Sequence, residues 1–215
     1  MTSKRLALVA TLAALSAGSA HAELFGLLNG RSADPSTMSP LAVEAGIMTG
    51  GDFQNIGARV NYSVSPQLTV FGDFGLAEVD AGIGSDADGN AFGGGLFFFL
   101  GDQQFLPQFD VAGKISYHIA SLEFGGTDVD YNNLSLGALL SSPEPFTEGG
   151  LKWYANAGFN RIDADIDVAG FGSESDTEIL LGGGVVLPLG PGEVYGGVDL
   201  VDSIQFGAGF RYFVQ

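Results

Sequence analysis

Residues 203–215 read SIQFGAGFRYFVQ. Ile204, Phe206, Ala208, Phe210, Tyr212 and Val214 fall on one side; Ser203, Gln205, Gly207, Gly209 and Arg211 fall on the other. A repeat of two residues predicts a β-strand. What the apolar side faces decides the fold. A protein core would make a soluble, lipocalin-type barrel, whereas hydrocarbon would make a barrel that spans a membrane.

The same alternation recurs upstream. Ten segments carry it, near 41–49, 53–65, 67–79, 90–100, 108–123, 130–142, 150–167, 176–189, 193–201 and 203–214. No stretch between them has the period of an amphipathic helix, and no longer repeat is present. The fold class expected is all-β: an antiparallel up-and-down barrel over 41–215, of ten strands, with eight longer ones as the alternative. The connections alternate in character. Pro66, Pro107, Pro143, Pro145, Pro188 and Pro191 fall in even-numbered gaps, while acidic residues gather around the odd ones. These acids are Glu78, Asp80, Asp86 and Asp88, then Glu123, Asp128 and Asp130, then Asp163, Asp165, Asp167, Glu174, Asp176 and Glu178. Every second connection of such a barrel lies at one end, so one end is Pro-capped and the other acidic. Acidic outer loops are the expectation.

The faces opposite the apolar ones choose the solvent. In 53–64, Ile56, Ala58, Val60, Tyr62 and Val64 oppose Asn55, Gly57, Arg59, Asn61 and Ser63. A soluble barrel turns its polar face to water, where mixed Lys and Glu dominate. Small residues with a few charges of both signs suit a crowded interior. Glu44, Asp73, Asp110, Glu178 and Asp199 are expected to meet Arg59, Lys114, Lys152 and Arg211 there, beside His118, because buried charges need partners. The stretch LKWYANAGF (151–159) tests this reading, for Trp153, Ala155, Ala157 and Phe159 are apolar and then the parity inverts at Ile162, Ala164 and Ile166. About nine residues suffice to cross a bilayer as a tilted strand. The remainder is expected above the hydrocarbon, with a bulge near Asn160 as the alternative.

The first residues add a compartment. Lys4 and Arg5 precede an apolar run from Leu6 to Ala17, and Ala20-His21-Ala22 is an A-x-A cleavage signal. Residues 1–22 are therefore read as a signal peptide, and 23–40 as a periplasmic N-terminal linker. The chain has no cysteine, so it forms no disulfide and no thiolate metal site. Glycine contributes 34 of 215 residues and charged residues only 15%. A soluble domain usually has about 25% charged residues. The net charge of −17 repels nucleic acid and excludes that class of partner.

Gln205-x-Gly207-x-x-Phe210-x-Tyr212 resembles the C-terminal signal by which outer-membrane barrels are recognised for assembly, although Gln215 and not an aromatic residue is last. With the leader and the hairpin rhythm, residues 41–215 resemble the small outer-membrane β-barrel proteins of the OmpA, OmpX and opacity type. That resemblance implies the outer membrane of a Gram-negative bacterium, both termini in the periplasm, and contact with lipid, lipopolysaccharide and the barrel-assembly machinery. It brings no catalytic residues with it. A structural envelope role, or narrow passage for small solutes, is the function expected.

Chemistry is sparse. Asp86, Asp88 and Asn90 invite a calcium reading, but an EF-hand would need Gly and Glu where Ala91 and Phe97 stand. Clustered acids beside lipopolysaccharide are expected to attract divalent cations collectively. His118 follows Ser116 by two residues, and outer-membrane lipid A deacylases use Ser and His on small barrels. Their order is His-x-Ser and they face lipid, whereas Ser116 and His118 are reversed and face inward. A lipid A-modifying hydrolase is thus the alternative to a non-enzymatic role. No cofactor motif appears.

Overall fold

In a computed structural model, the described residues are 26–34, 39–51, 53–80, 86–100, 108–124, 127–166, 174–201 and 203–214. Residues 1–22, expected to be a signal peptide, lie outside them. Ten strands follow: β1 Leu41–Gly50, β2 Phe53–Ser65, β3 Leu68–Asp80, β4 Asp86–Phe99, β5 Asp110–Phe124, β6 Thr127–Ser141, β7 Lys152–Ile166, β8 Glu174–Leu189, β9 Gly192–Val201 and β10 Ser203–Val214. Each pairs antiparallel with its neighbours in sequence, and β1 pairs with β10 from Leu41↔Val214 to Thr49↔Phe206. That last pairing closes the sheet and leaves no edge. Ten strands hold, not eight.

The Pro-capped end has tight turns. Ser65 pairs with Leu68 across Pro66-Gln67, and Leu189 pairs with Gly192 across Gly190-Pro191. Gly190 has φ +59°, a left-handed conformation that glycine adopts without strain.

The strands obey the alternation, and most of their large apolar side chains point out. Ile56, Val60, Tyr62, Phe74, Phe92, Ile115, Leu136, Phe159, Ile179 and Phe206 are all exposed. On β10, Ile204, Phe206 and Tyr212 are outside while Gln205 and Arg211 are buried inside. At the Pro-capped end Phe109 packs edge-on against Trp153, with ring centroids 5.7 Å apart.

Towards the acidic end the rule reverses. Met48, Phe53, Ala77, Val79, Ala87, Ala91, Ala120, Leu122 and Ile162 form one buried cluster inside the barrel, joined by Tyr131. Outside at that level stand Glu78, Asp88, Glu123 and Asp128, all exposed. The β6·β7 register runs without a break through Ser135↔Asn160 and Asn133↔Ile162, so no bulge causes the inversion. The solvent outside changes, and the side chains change with it.

Two expectations need correction. Acidic outer loops were expected, but Asp80, Asp88 and Asp128, which fall between the expected segments, lie on strand tops and face outward, as do Glu78, Glu123 and Asp130 at the segment ends. The backbone at Asp86, Asp88 and Asn90 is likewise β4 rather than loop, and positions two apart on a strand stand about 7 Å apart, too far to converge as a loop would. Residues 26–34 are not an external linker. They run inside the barrel, and Gly26 to Ala33 are buried.

Candidate functional site: a filled lumen

Inward positions of adjacent strands fall into rows, and one row carries most of the charge. Following the register, Glu193 stands opposite Arg211, Arg211 opposite Glu44, Glu44 opposite Arg59, and Arg59 opposite Asp73. Signs alternate across five strands, β9, β10, β1, β2 and β3. The three inner charges, Arg211, Glu44 and Arg59, stand between opposite charges on both sides, and the end charges Glu193 and Asp73 each pair with an arginine, which is what lets them stay buried. Arg211 donates from Nη1 to Glu193 and from Nε to Glu44 Oε1 at 2.8 Å. Arg59 grips Asp73 with two donors, Nε to Oδ1 at 2.6 Å and Nη2 to Oδ2 at 2.7 Å. Tyr195 donates its hydroxyl to Glu44 Oε2 at 3.2 Å.

The row continues across β4 because β4 has glycine there. Asp73 pairs with Gly93 and Gly93 with His118, so the side chains either side of Gly93 can touch. His118 Nε2 lies 2.8 Å from Asp73 Oδ2. A Cβ on Gly93 would overlap the His118 ring and the Tyr117 carbonyl. Gly182 plays the same part on β8, between Asn156 and Asp199, whose side chains meet at 3.2 Å. Gly93→Ala is therefore expected to break the Asp73–His118 contact and cost about 1–3 kcal/mol through overpacking. A denaturation midpoint equal to the wild type's would refute it.

The N-terminal segment completes the lumen. Arg31 donates Nη2 to Glu44 Oε1 at 2.9 Å and to Asn61 Oδ1 at 2.5 Å, and its guanidinium lies 4.1 Å from the Phe97 ring centroid. Glu44 Oε1 thus accepts from Arg31, Arg211 and Asn61 together. Below, Leu28, Ala33, Phe71, Phe97, Phe99, Ala112, Leu139, Tyr154, Val186 and Tyr195 make a second apolar cluster, shared by segment and wall. A cavity of about 10 Å³ beside Asn29, Lys114, Ser135 and Asn156 holds no more than a single water.

A polar, charge-paired interior inside a closed wall of outward Ile, Leu, Val and Phe leaves hydrocarbon as the solvent those side chains match. The fold is that of a membrane-spanning β-barrel. The soluble, lipocalin-type alternative fails on the same observation.

No family model matches the chain, and no curated protein does. Among solved structures this barrel is similar to the translocator domain of the autotransporter NalP from Neisseria meningitidis, with TM-score 0.47 and 13% identity, covering 82% of this chain and 89% of that one. It is also similar to LpxR from Salmonella typhimurium, with TM-score 0.43 and 11% identity over 81% and 99%. The N-terminal β-barrel domain of OprF from Pseudomonas aeruginosa gives TM-score 0.36 and 13% identity over 80% and 96%. The likeness is to small outer-membrane barrels and concerns the fold alone.

Of the residues expected in the membrane barrel's polar network, Glu44, Arg59, Asp73, His118 and Arg211 come together in the one row. Lys114 is buried and electrostatically coupled to Asp199, near Asn156 rather than in the row. Lys152 is at the Pro-capped rim, 3.5 Å from Asp34. Asp110 and Glu178 are half-buried, on β5 and β8. Of the assembly signal, Gln205 and Gly207 face the lumen while Phe210 and Tyr212 face out. Reading the sequence missed Arg31, Asn61 and Glu193 as network members.

Ser116 and His118 are both buried on the lumen face, at 1% and 0% exposure. His118 Nε2 is held by Asp73, and Nδ1 has no partner among the described residues, so the ring is not coupled to Ser116. Among those residues no three His, Asp or Glu side chains gather as metal ligands.

Proposed function

We propose that the protein is a non-enzymatic barrel of a Gram-negative outer membrane with a structural, envelope role, its lumen shut rather than conducting. What supports this is a pair of seals in series. The apolar cluster around Met48, Phe53 and Ile162 fills the acidic end, and residues 26–34 with the cluster around Phe97 fill the other. A solute would have to cross both. The folded full chain is expected to give no stepwise current in planar bilayers, and stable discrete conductance would overturn the closed reading in favour of narrow passage. The hydrolase alternative predicts loss of lipid A acyl chains on overexpression, dependent on His118. The burial of Ser116 and His118 away from lipid favours the non-enzymatic reading.

In this reading both termini are periplasmic. β1 starts and β10 ends at the Pro-capped end, where Leu41 pairs with Val214. The acidic strand tops then meet lipopolysaccharide outside the cell. There Glu78, Asp88, Glu123 and Asp128 stand directly opposite one another across β3 to β6. Like charges placed so cost a few tenths of a kcal/mol to ~1 kcal/mol per pair. Millimolar Ca²⁺ is expected to raise the melting temperature in lipopolysaccharide-containing micelles, and EDTA to reverse it. Identical melting in both would remove divalent cations from the list of partners.

A further inference from the structure

The lower lumen reads the backbone of the segment it holds. Asn55 Nδ2 donates to the Gly26 carbonyl at 3.0 Å, Arg59 Nη2 to the Leu27 carbonyl at 3.3 Å, and Arg211 Nη2 to the Gly30 carbonyl at 3.0 Å. Ser141 Oγ accepts the Ala33 amide at 2.8 Å. None of these four bonds uses a side chain of the segment. The segment's side chains add to this: Leu28 and Ala33 pack in the lower apolar cluster, Ser32 Oγ meets Ser141 Oγ at 3.2 Å, and Asp34 meets Lys152 at the rim. Two contacts discriminate most sharply. Arg31 enters the Glu44–Asn61 fork, and Gly30 lies so close on the Tyr195 ring that a Cβ would overlap it.

The strand ladder of the wall does not run through the segment. All ten strand pairings lie outside it, and the wall charges already pair as Arg59–Asp73, Arg211–Glu44 and Arg211–Glu193. The segment reaches its seat from the Pro-capped rim, where Asp34 and Lys152 are partly open to solvent. A groove that reads the main chain of a segment outside the strand ladder has the form of a binding site with its ligand tethered.

We propose that the lower lumen is a peptide-binding groove, selective for an extended segment with a Gly-Arg pair, filled in cis by residues 26–34 and open to exchange with such a peptide at the Pro-capped end. This goes beyond the envelope role and does not depend on it. A tether supplies a local concentration of about millimolar, so the site is best assayed with the tethered copy removed. The test uses a variant lacking residues 26–34, folded in detergent, and a fluorescent peptide GLLNGRSAD. Saturable binding is expected, weakened at least tenfold by Arg31→Ala or Gly30→Ala in the peptide. No binding, or equal binding of all three peptides, would overturn the proposal.

Should the deletion variant not fold, Ser32→Cys in the full chain decides. The protein has no other cysteine. Maleimide labelling of the folded barrel is expected to speed up severalfold with excess GLLNGRSAD and to be unchanged by the Arg31→Ala peptide. Labelling only on heat unfolding, at a rate no peptide alters, would mean that the segment is a permanent part of the core.

Discussion

Glu44→Ala is expected to destabilise the barrel by about 3–5 kcal/mol, the usual cost of stranding a buried charge. Glu44 is fully buried and takes hydrogen bonds from Arg31, Arg211, Asn61 and Tyr195. Removing it leaves two guanidinium groups without their shared carboxylate. Arg211 keeps Glu193, but Arg31 keeps only the Asn61 amide and the Phe97 face. Arg31→Leu is expected to cost less, because Glu44 retains Arg211. Reversible urea unfolding in lipid or detergent measures both. If Glu44→Ala costs no more than Arg31→Leu, Glu44 is not the junction described.

The second large effect is on the outer wall. Leu136 is 58% exposed in mid-strand on β6, between Ile115 and Phe159. Leu136→Arg is expected to cost about 2–4 kcal/mol if that position faces the bilayer midplane. Glu123→Arg, on the outward face of β5 where acids oppose it from both sides, is expected to be neutral or stabilising. The same residue type thus probes two solvents on one wall. Equal cost at both positions, by unfolding in the same lipid, would mean that no hydrocarbon boundary lies between them.

Much of the wall was legible because alternation is a local signal. The segment expected at 53–65 is β2 to the residue, and the one at 203–214 is β10. The inversion in β7 was legible too, since Ile162 and Asp163 change places within one strand. The interior was less so. Glu44 and Arg211 are 167 residues apart, and only the β1·β10 register sets them opposite each other. Gly93 and Gly182 have no side chain to announce a role, and their value lies in what flanks them on neighbouring strands. Residues 26–34 have neither period, because their backbone bonds go to lumen side chains and not to a strand. The one cue was Arg31 itself, a cation among Leu27, Leu28, Gly30 and Ala33; its neighbour Asp34 goes to Lys152 at the rim, and the acid that Arg31 meets is Glu44 on β1.

The inversion of inside and outside also works as a draught mark on a hull. It falls where Asn160 gives way to Ile162, and β5 climbs on from Ser121 to Phe124. At the rise and tilt of barrel strands, four such residues lift the rim roughly 10 Å clear of the hydrocarbon. That collar has a dry interior and a negatively charged skin. The strand tops therefore stand as a stiff pedestal above the hydrocarbon.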